Sequence, residues 1–185
     1  PEERERFFKD VEEQIARESW VQSATVSGYA PLSGHGSMNL REEGSEEPTP
    51  TLATSVHAGF FEKLGIEIVQ GRAFASSDSA GAPMVVVLNR PAAERFFPEG
   101  NAVAGRLLTA AEGAASREFE IVGVVGDTKV RNFLIPAEPA VYLHYAQQPY
   151  PSGSALLVST SGSPEQAVPR LHRWLREFEP HLAIV

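Results

Sequence analysis

Apolar residues in this chain never run beyond the length of a buried strand. The longest runs are Met84 to Leu88 and Ile121 to Val125, the second interrupted by Gly123. A helix that crosses a bilayer needs roughly 18 to 20 apolar residues, and no segment approaches that. Short apolar runs punctuated by 15 glycines and 14 prolines specify a set of brief strands and helices. With 185 residues, 42% of them hydrophobic, the chain is long enough for one large domain or two small lobes with a real core. It opens on Pro1 with no initiator Met and ends on the strand-like Ala183-Ile184-Val185, which we read as a fragment from within a longer protein.

Phe7, Phe8, Val11 and Ile15 recur at helical spacing, with Lys9, Glu12, Glu13 and Arg17 off that stripe. Glu2, Glu3 and Glu5 sit where the helix dipole favours negative charge. Val21 to Ser27 alternates like a half-buried strand. Gly28 to Pro48 reads as a loop, punctuated by glycines and charged by Glu42, Glu43, Glu46 and Glu47, with room for an edge strand. Thr51 to Val56, His57 to Leu64 and Ile66 to Val69 make a strand–helix–strand unit stopped at Gly65 and Gly71. Met84 to Leu88 is a buried strand, after which Asn89 caps a helix carrying Pro91 in its first turn. Arg106 to Thr109, Glu118 to Val125, Ala140 to His144 and Ala155 to Thr160 read as strands, the first two around a hairpin tip at Ala110 to Ser116. Ser163-Pro164-Glu165-Gln166 has the form of a capping box ahead of a last helix. That helix places Val168, Leu171, Trp174 or Leu175, and Phe178 on one face, with a kink expected at Pro169. His181 to Val185 begins a final strand. The fold class is mixed α/β: two α/β halves near the chain ends around a strand-rich middle from about Gly71 to Tyr150.

Motifs for chemistry are few. A formal net charge of -8 argues against a nucleic-acid surface, and the absence of cysteine removes thiolate metal sites, disulfides and a Cys nucleophile. No Gly-x-Ser-x-Gly elbow exists; Ser33-Gly34-His35-Gly36-Ser37 lies in a loop with no strand feeding it. The five histidines, His35, His57, His144, His172 and His181, include no i, i+4 pair for a metal, and His144 is placed at a strand rim. His172 stands among Arg170, Arg173 and Arg176 on a solvated face. Asp127, one of three aspartates, follows Gly126 at a strand end. That is a catalytic position in some α/β enzymes and a hydrogen-bond acceptor in many tight turns, and the turn role is preferred. On the residues alone, no cofactor or metal is implied.

Four segments resemble a known family in the right order. They are Val56-His57-Ala58-Gly59-Phe60-Phe61-Glu62-Lys63-Leu64-Gly65-Ile66 with Gln70-Gly71-Arg72-Ala73-Phe74; Val85 to Asn89 with Arg95-Phe96-Phe97-Pro98 and Gly105-Arg106; Ile121 to Asp127; and Val141-Tyr142-Leu143. Together they are similar to the signature of MacB-like periplasmic core domains, closest in type to the large acidobacterial permeases that carry two such domains per chain. Arg90, Val103 and His144 depart from the family pattern, and the family's first strand has no counterpart ahead of the first helix.

The resemblance implies a porter-like lobe of paired β-α-β units from residues 1–70 and 151–185, with an inserted mixed α/β lobe from 71–150. It implies a noncatalytic domain on the extracytoplasmic (periplasmic) face of the bacterial inner membrane, within an FtsX-like permease, coupling membrane-helix movement to substrate or partner handling. The implied partners are the rest of that permease, a cytoplasmic ATPase, and a second permease copy or an envelope adaptor. The family-signature residues Phe61, Gly65, Gly71, Arg72, Asn89, Phe97, Pro98, Gly105, Gly123, Gly126, Asp127 and Tyr142 then carry structural roles: turns at Gly65 and Gly71, a buried strand flanked by Gly123 and Gly126, and a helix cap at Asn89. Two other readings compete: a free-standing ligand- or peptide-binding module of the same fold, and a hydrolase built around Asp127, His144 or the Ser33 loop. Asp127→Ala is expected to change local stability and abolish no reaction; loss of a turnover activity in that variant would overturn the noncatalytic reading.

Overall fold

A computed structural model of the chain describes residues 2–30, 35–110, 115–129, 134–148 and 154–182. In chain order the elements are α1 (Glu2–Ile15), β1 (Val21–Ser27), β2 (Gly36–Glu42), β3 (Thr49–Val56), α2 (Phe60–Lys63), β4 (Ile68–Gly71), β5 (Val85–Asn89), α3 (Arg90–Phe96), β6 (Arg106–Thr109), β7 (Glu118–Val125), β8 (Ala140–His144), a 3-10 turn (Tyr145–Gln147), β9 (Ala155–Thr160) and α4 (Pro164–Phe178). The hydrogen-bonded order β2-β6-β7-β5-β8-β3 closes on itself, because β2 also pairs with β3 from Gly36↔Ala53 to Leu40↔Thr49. Six strands therefore form a ring with no free edge among them. Two of its pairings, β3 with β8 and β5 with β7, are parallel.

Period-2 alternation sorts the side chains of this ring. All six strands send residues to one cluster: Leu40, Ala53, Val86 and Leu88, Leu107, Phe119 and Ile121, and Val141 and Leu143. This is the inside of the ring, and Ala92 and Phe96 of α3 join it. The intervening residues Val85, Val87, Val122 and Tyr142 face outward into a second cluster with Val56, Phe60, Phe61 and Phe74, so α2 covers the outer face. Because β5 and β8 are buried on both faces, they read in sequence as continuous apolar runs.

Asn89 ties three segments together at the end of β5. Its Oδ1 accepts from the Ala92 amide at 3.0 Å, capping α3, and from the Ala140 amide at 2.9 Å, while its Nδ2 donates to the Glu138 carbonyl at 2.7 Å. Gln147 does similar work at the other end. It accepts from Val85 N–H at 3.0 Å and donates to the carbonyls of Ser79 and Pro83.

A two-stranded ribbon stands outside the ring. β1 pairs with β9 along its length, from Val21↔Thr160 to Ser27↔Ala155. Its strand pairing with the ring, among the described residues, is Ser27↔Val56, flanked by Gly28 N–H donating to Ser55 O at 2.7 Å and His57 N–H donating to Val26 O at 3.2 Å, and Leu157 of β9 packs on the outer cluster. α1 buries Val11 and Ile15, and α4 approaches it through Phe178, whose ring centre is 6.1 Å from that of Phe7. β2, β3 and β4, which the sequence division assigns to the chain-end lobe, pair with β6, β8 and β7.

Several local expectations change. The 28–48 segment contains a full strand, β2, and that strand is an interior stave of the ring rather than an edge. α4 runs unbroken through Pro169, and Ser163 makes no side-chain cap; its backbone carbonyl instead accepts from Gln166 and Ala167 N–H. Of the expected apolar face of α4, Leu175 is buried and Val168 is 52% exposed. The final strand expected at His181 to Val185 falls largely outside the described residues, as do 111–114 of the hairpin tip.

Gly71 and Gly123 face each other in the β4–β7 pair. Gly71 has φ +68, and a Cβ there would strike the Val122 carbonyl; one on Gly123 would strike the carbonyl of Arg72. Gly123 sits within β7, where β4 lies across it. Gly126, just after β7, has open space around it. Gly123→Ala is therefore expected to destabilise the chain by about 3 kcal/mol and Gly126→Ala by less than about 0.5 kcal/mol, measured by urea unfolding; equal effects would overturn the close-approach account.

Candidate functional site

Where α1 lies over the ring, a cleft of about 520 Å³ opens, lined from α1 by Glu5, Lys9, Glu12 and Glu13 and from the ring side by His57, Lys63, His144 and Tyr145 among others. That is the size of a small-molecule site. Its floor is polar and buried. Glu12 is 7% exposed, contrary to its expected place off the apolar stripe, because Phe8 and Ile15 flank it at helical spacing on the inward side. Its Oε1 accepts from Val26 N–H at 2.7 Å and lies 3.4 Å from His57 Nδ1; its Oε2 accepts from Lys63 Nζ at 2.6 Å. One carboxylate thus joins α1 to β1, to α2 and to the residue that follows β3. A buried carboxylate survives only with such partners.

His57 is wedged among aromatic rings, 4.7 Å from Tyr145 and 6.1 Å from Phe8. Burial, then the neighbouring His144 and Lys63, lower its pKa to about 4. His144 ends β8 beside Val56 and is 5% exposed, a buried position rather than the rim expected of it. Phe74 packs edge-on against it at 5.1 Å, and burial lowers its pKa against an opposing pull from Asp78.

Arg72, which the resemblance marked, grips Asp78 with both terminal nitrogens, at 2.8 and 3.0 Å, and Asp78 also accepts from Ala75 N–H at 2.8 Å. Burial works to raise the Asp78 carboxyl, but the hydrogen bonds from Arg72 and Ala75 prevail and hold it below the usual carboxylate range. The pair fixes the loop that follows β4.

The other marked residues spread over the molecule. Phe61 is fully buried in the outer cluster. Gly65 takes φ +66 at the end of α2. Phe97 closes α3, and a Cβ on Gly105 would come within 2.8 Å of its ring; Pro98 is exposed beside it. Tyr142 Oη donates to Thr128 Oγ1 at 2.8 Å, and burial pushes its phenol up despite that bond. Asp127 is 58% exposed and lies 3.7 Å from Arg90 Nε. It borders an apolar groove of about 260 Å³ that includes Phe60, Leu64, Ile66 and Tyr142. The structure therefore places Asp127 with Arg90 and His144 with Phe74 and Asp78, while Ser33 lies outside the described residues. Among the described residues no group of three or more His, Cys, Asp or Glu is arranged to hold a metal.

Glu12 and its partners were missed in sequence. The available signal was the register of Glu12 with Phe8 and Ile15, a carboxylate within an apolar stripe. Removing it leaves the Val26 amide and the Lys63 ammonium without their acceptor. Glu12→Ala is expected to cost about 3 kcal/mol in urea unfolding, with Glu12→Gln losing less; an unchanged midpoint would show that the carboxylate does not hold α1.

A model of the MacB-like periplasmic core domain matches residues 3–173. No curated protein matches the chain in sequence. Among solved structures, the periplasmic region of MacB from Actinobacillus actinomycetemcomitans superposes with TM-score 0.64 at 18% identity, covering 92% of this chain and 73% of that one. The extracellular domain of the noncanonic ABC-type transporter YknZ from Gram-positive bacteria gives TM-score 0.64 at 15% identity, covering 94% and 84%. A permease-protein domain from Porphyromonas gingivalis gives 0.58 at 18% identity, covering 89% and 74%. These likenesses establish the shared mixed α/β fold, and among the described residues no helix is long and apolar enough to cross a membrane. With the family model matching nearly the whole chain, this protein belongs to the MacB-like periplasmic core domain family.

Proposed function

We propose that this chain is the extracytoplasmic domain of an ABC-transporter permease, and that it transmits movement of membrane helices rather than catalysing a reaction. The observation that carries this reading is the way α1 and the β1–β9 ribbon join the ring around Ser27↔Val56 and through Glu12, with α4 reaching α1 through Phe178. Elements from opposite ends of the sequence lie side by side there, as the Phe7–Phe178 contact records. A displacement delivered to either helix reaches the ring through the same narrow joint, which is the geometry of a hinge. The lobe division from the sequence, 1–70 with 151–185 against 71–150, is proposed in this adjusted form, with β2, β3 and β4 moving with the ring.

In this reading the energy comes from a cytoplasmic ATPase, and the domain works on the periplasmic face of the inner membrane beside the rest of its own permease. A second permease copy or an envelope adaptor is the proposed outer partner. The 520 Å³ cleft favours one alternative, a free-standing module that binds a ligand or peptide. The parent reading frame distinguishes them. Apolar spans of about 20 residues on both sides of this segment are expected; polar flanks would remove the membrane context and favour the binding module.

A further inference from the structure

Two imidazoles lie buried along the cleft beside α1 with three ring nitrogens unmatched. His57 is 7% exposed and His144 5%. His57 Nδ1 faces Glu12, but His57 Nε2 and both nitrogens of His144 have no hydrogen-bond partner. Neutral imidazole tolerates this at modest cost. An imidazolium does not, since both of its nitrogens donate and its charge must be solvated or paired.

The carboxylates nearest the two rings, Glu12 and Asp78, are already engaged by other donors. From α1, Glu12 is already shared between Val26 N–H and Lys63. From α2, Lys63 adds positive charge. From the loop after β4, Asp78 is held by Arg72 and Ala75 N–H. The 3-10 turn contributes Tyr145, packed against His57 by its ring. Glu5, Lys9 and Glu13 stand across the cleft on α1, the last two in a 3.8 Å pair. Each imidazole would also be charged next to the other.

We propose that this joint is an acid-released clasp: protonation of His57 and His144 lifts α1 and the β1–β9 ribbon away from the ring. Opening brings water to His57, which Phe8 and Glu12 of α1 cover, and widens the cleft that His144 lines. The ring stays intact because its six strands have no edge to fray, whereas the ribbon is held at one end of β1 by the Ser27↔Val56 pair with its flanking hydrogen bonds, by Ser23 Oγ donating to Lys63 O, by Leu157 against the outer cluster and by the Glu12 contacts. The sign follows from the lowered values. Closed, His57 has a pKa of about 4, and burial lowers His144 as well; exposed imidazole titrates near 6.5. Clasp stability is complete above pH 6.5 and is lost as the pH falls from there toward about 4. The inference holds for the isolated chain and does not depend on the transporter reading.

The chain has no cysteine, so Lys9→Cys on α1 and Glu94→Cys on α3, both exposed, accept a dye pair uniquely. Energy transfer is followed from pH 7.5 to 4.5 alongside amide exchange of Val86 and Val141 in the ring. The expected result is a fall in transfer with a midpoint below pH 6.5 while the ring amides stay protected. In the same labelled chain, His57→Gln with His144→Gln is expected to abolish the transition; should the double variant not fold, His57→Gln alone is expected to move the midpoint down. Constant transfer to pH 4.5, an unmoved midpoint in the variants, or loss of ring protection at the same pH would each overturn the clasp.

Discussion

The arrangement depends on β2 having two neighbours. A strand paired with β3 on one side and β6 on the other forces the sheet to close, and closure divides every stave into an inward and an outward row. The inward row fills a dry interior of Leu, Val, Ile and Phe. The outward row needs its own cover, which explains why the sequence devotes Phe60, Phe61 and Phe74 to a very short helix and the segment after β4. The glycine motifs follow from the same requirement. β4 can lie against β7 only where Gly71 and Gly123 let two backbones touch, and Arg72, the next residue, is thereby set to hold the following loop through Asp78.

Polar groups that the ring interior excludes gather instead where the ribbon meets the ring. Glu12, Lys63, His57, His144, Arg72 and Asp78 surround or border that joint. Apolar packing would hold two bodies together at any pH and with little orientational preference. A shared carboxylate imposes a single docking geometry, and its strength varies with the charges around it. Under the proposed relay of movement such a joint has a use that stability alone would not require.

Much of the ring was legible in sequence because its central strands are local in their signals. Val85 to Asn89 and Ile121 to Val125 are short, β-branched and bounded by turn residues, and Asn89 ahead of Pro91 announces a helix start. The family motifs coincide with these same strands and turns. What escaped was everything decided by distant pairing. Nothing local in Gly36 to Glu42 marks it as the stave that closes a ring, since its partners are β3 and β6. His144 occupies a strand end, which suggested exposure, but Phe74 comes from elsewhere in the chain to pack against it. Glu12 looked like one more acidic residue on a charged helix until the partners from β1 and α2 were in place.

Closure has a kinetic consequence. The β2–β6 pairing, Leu40 to Thr109 through Glu42 to Leu107, joins segments far apart in the chain, and β3 must find β8 across an even longer interval. Such pairings carry a large loop-closure entropy before any contact repays it, so chains of this topology fold slowly for their size. Until β2 is seated, β3 and β6 each present an open row of amides and carbonyls, and an incompletely assembled molecule is adhesive in a way the finished one is not. The interval between synthesis and closure is thus when this domain most needs to be kept apart from its copies.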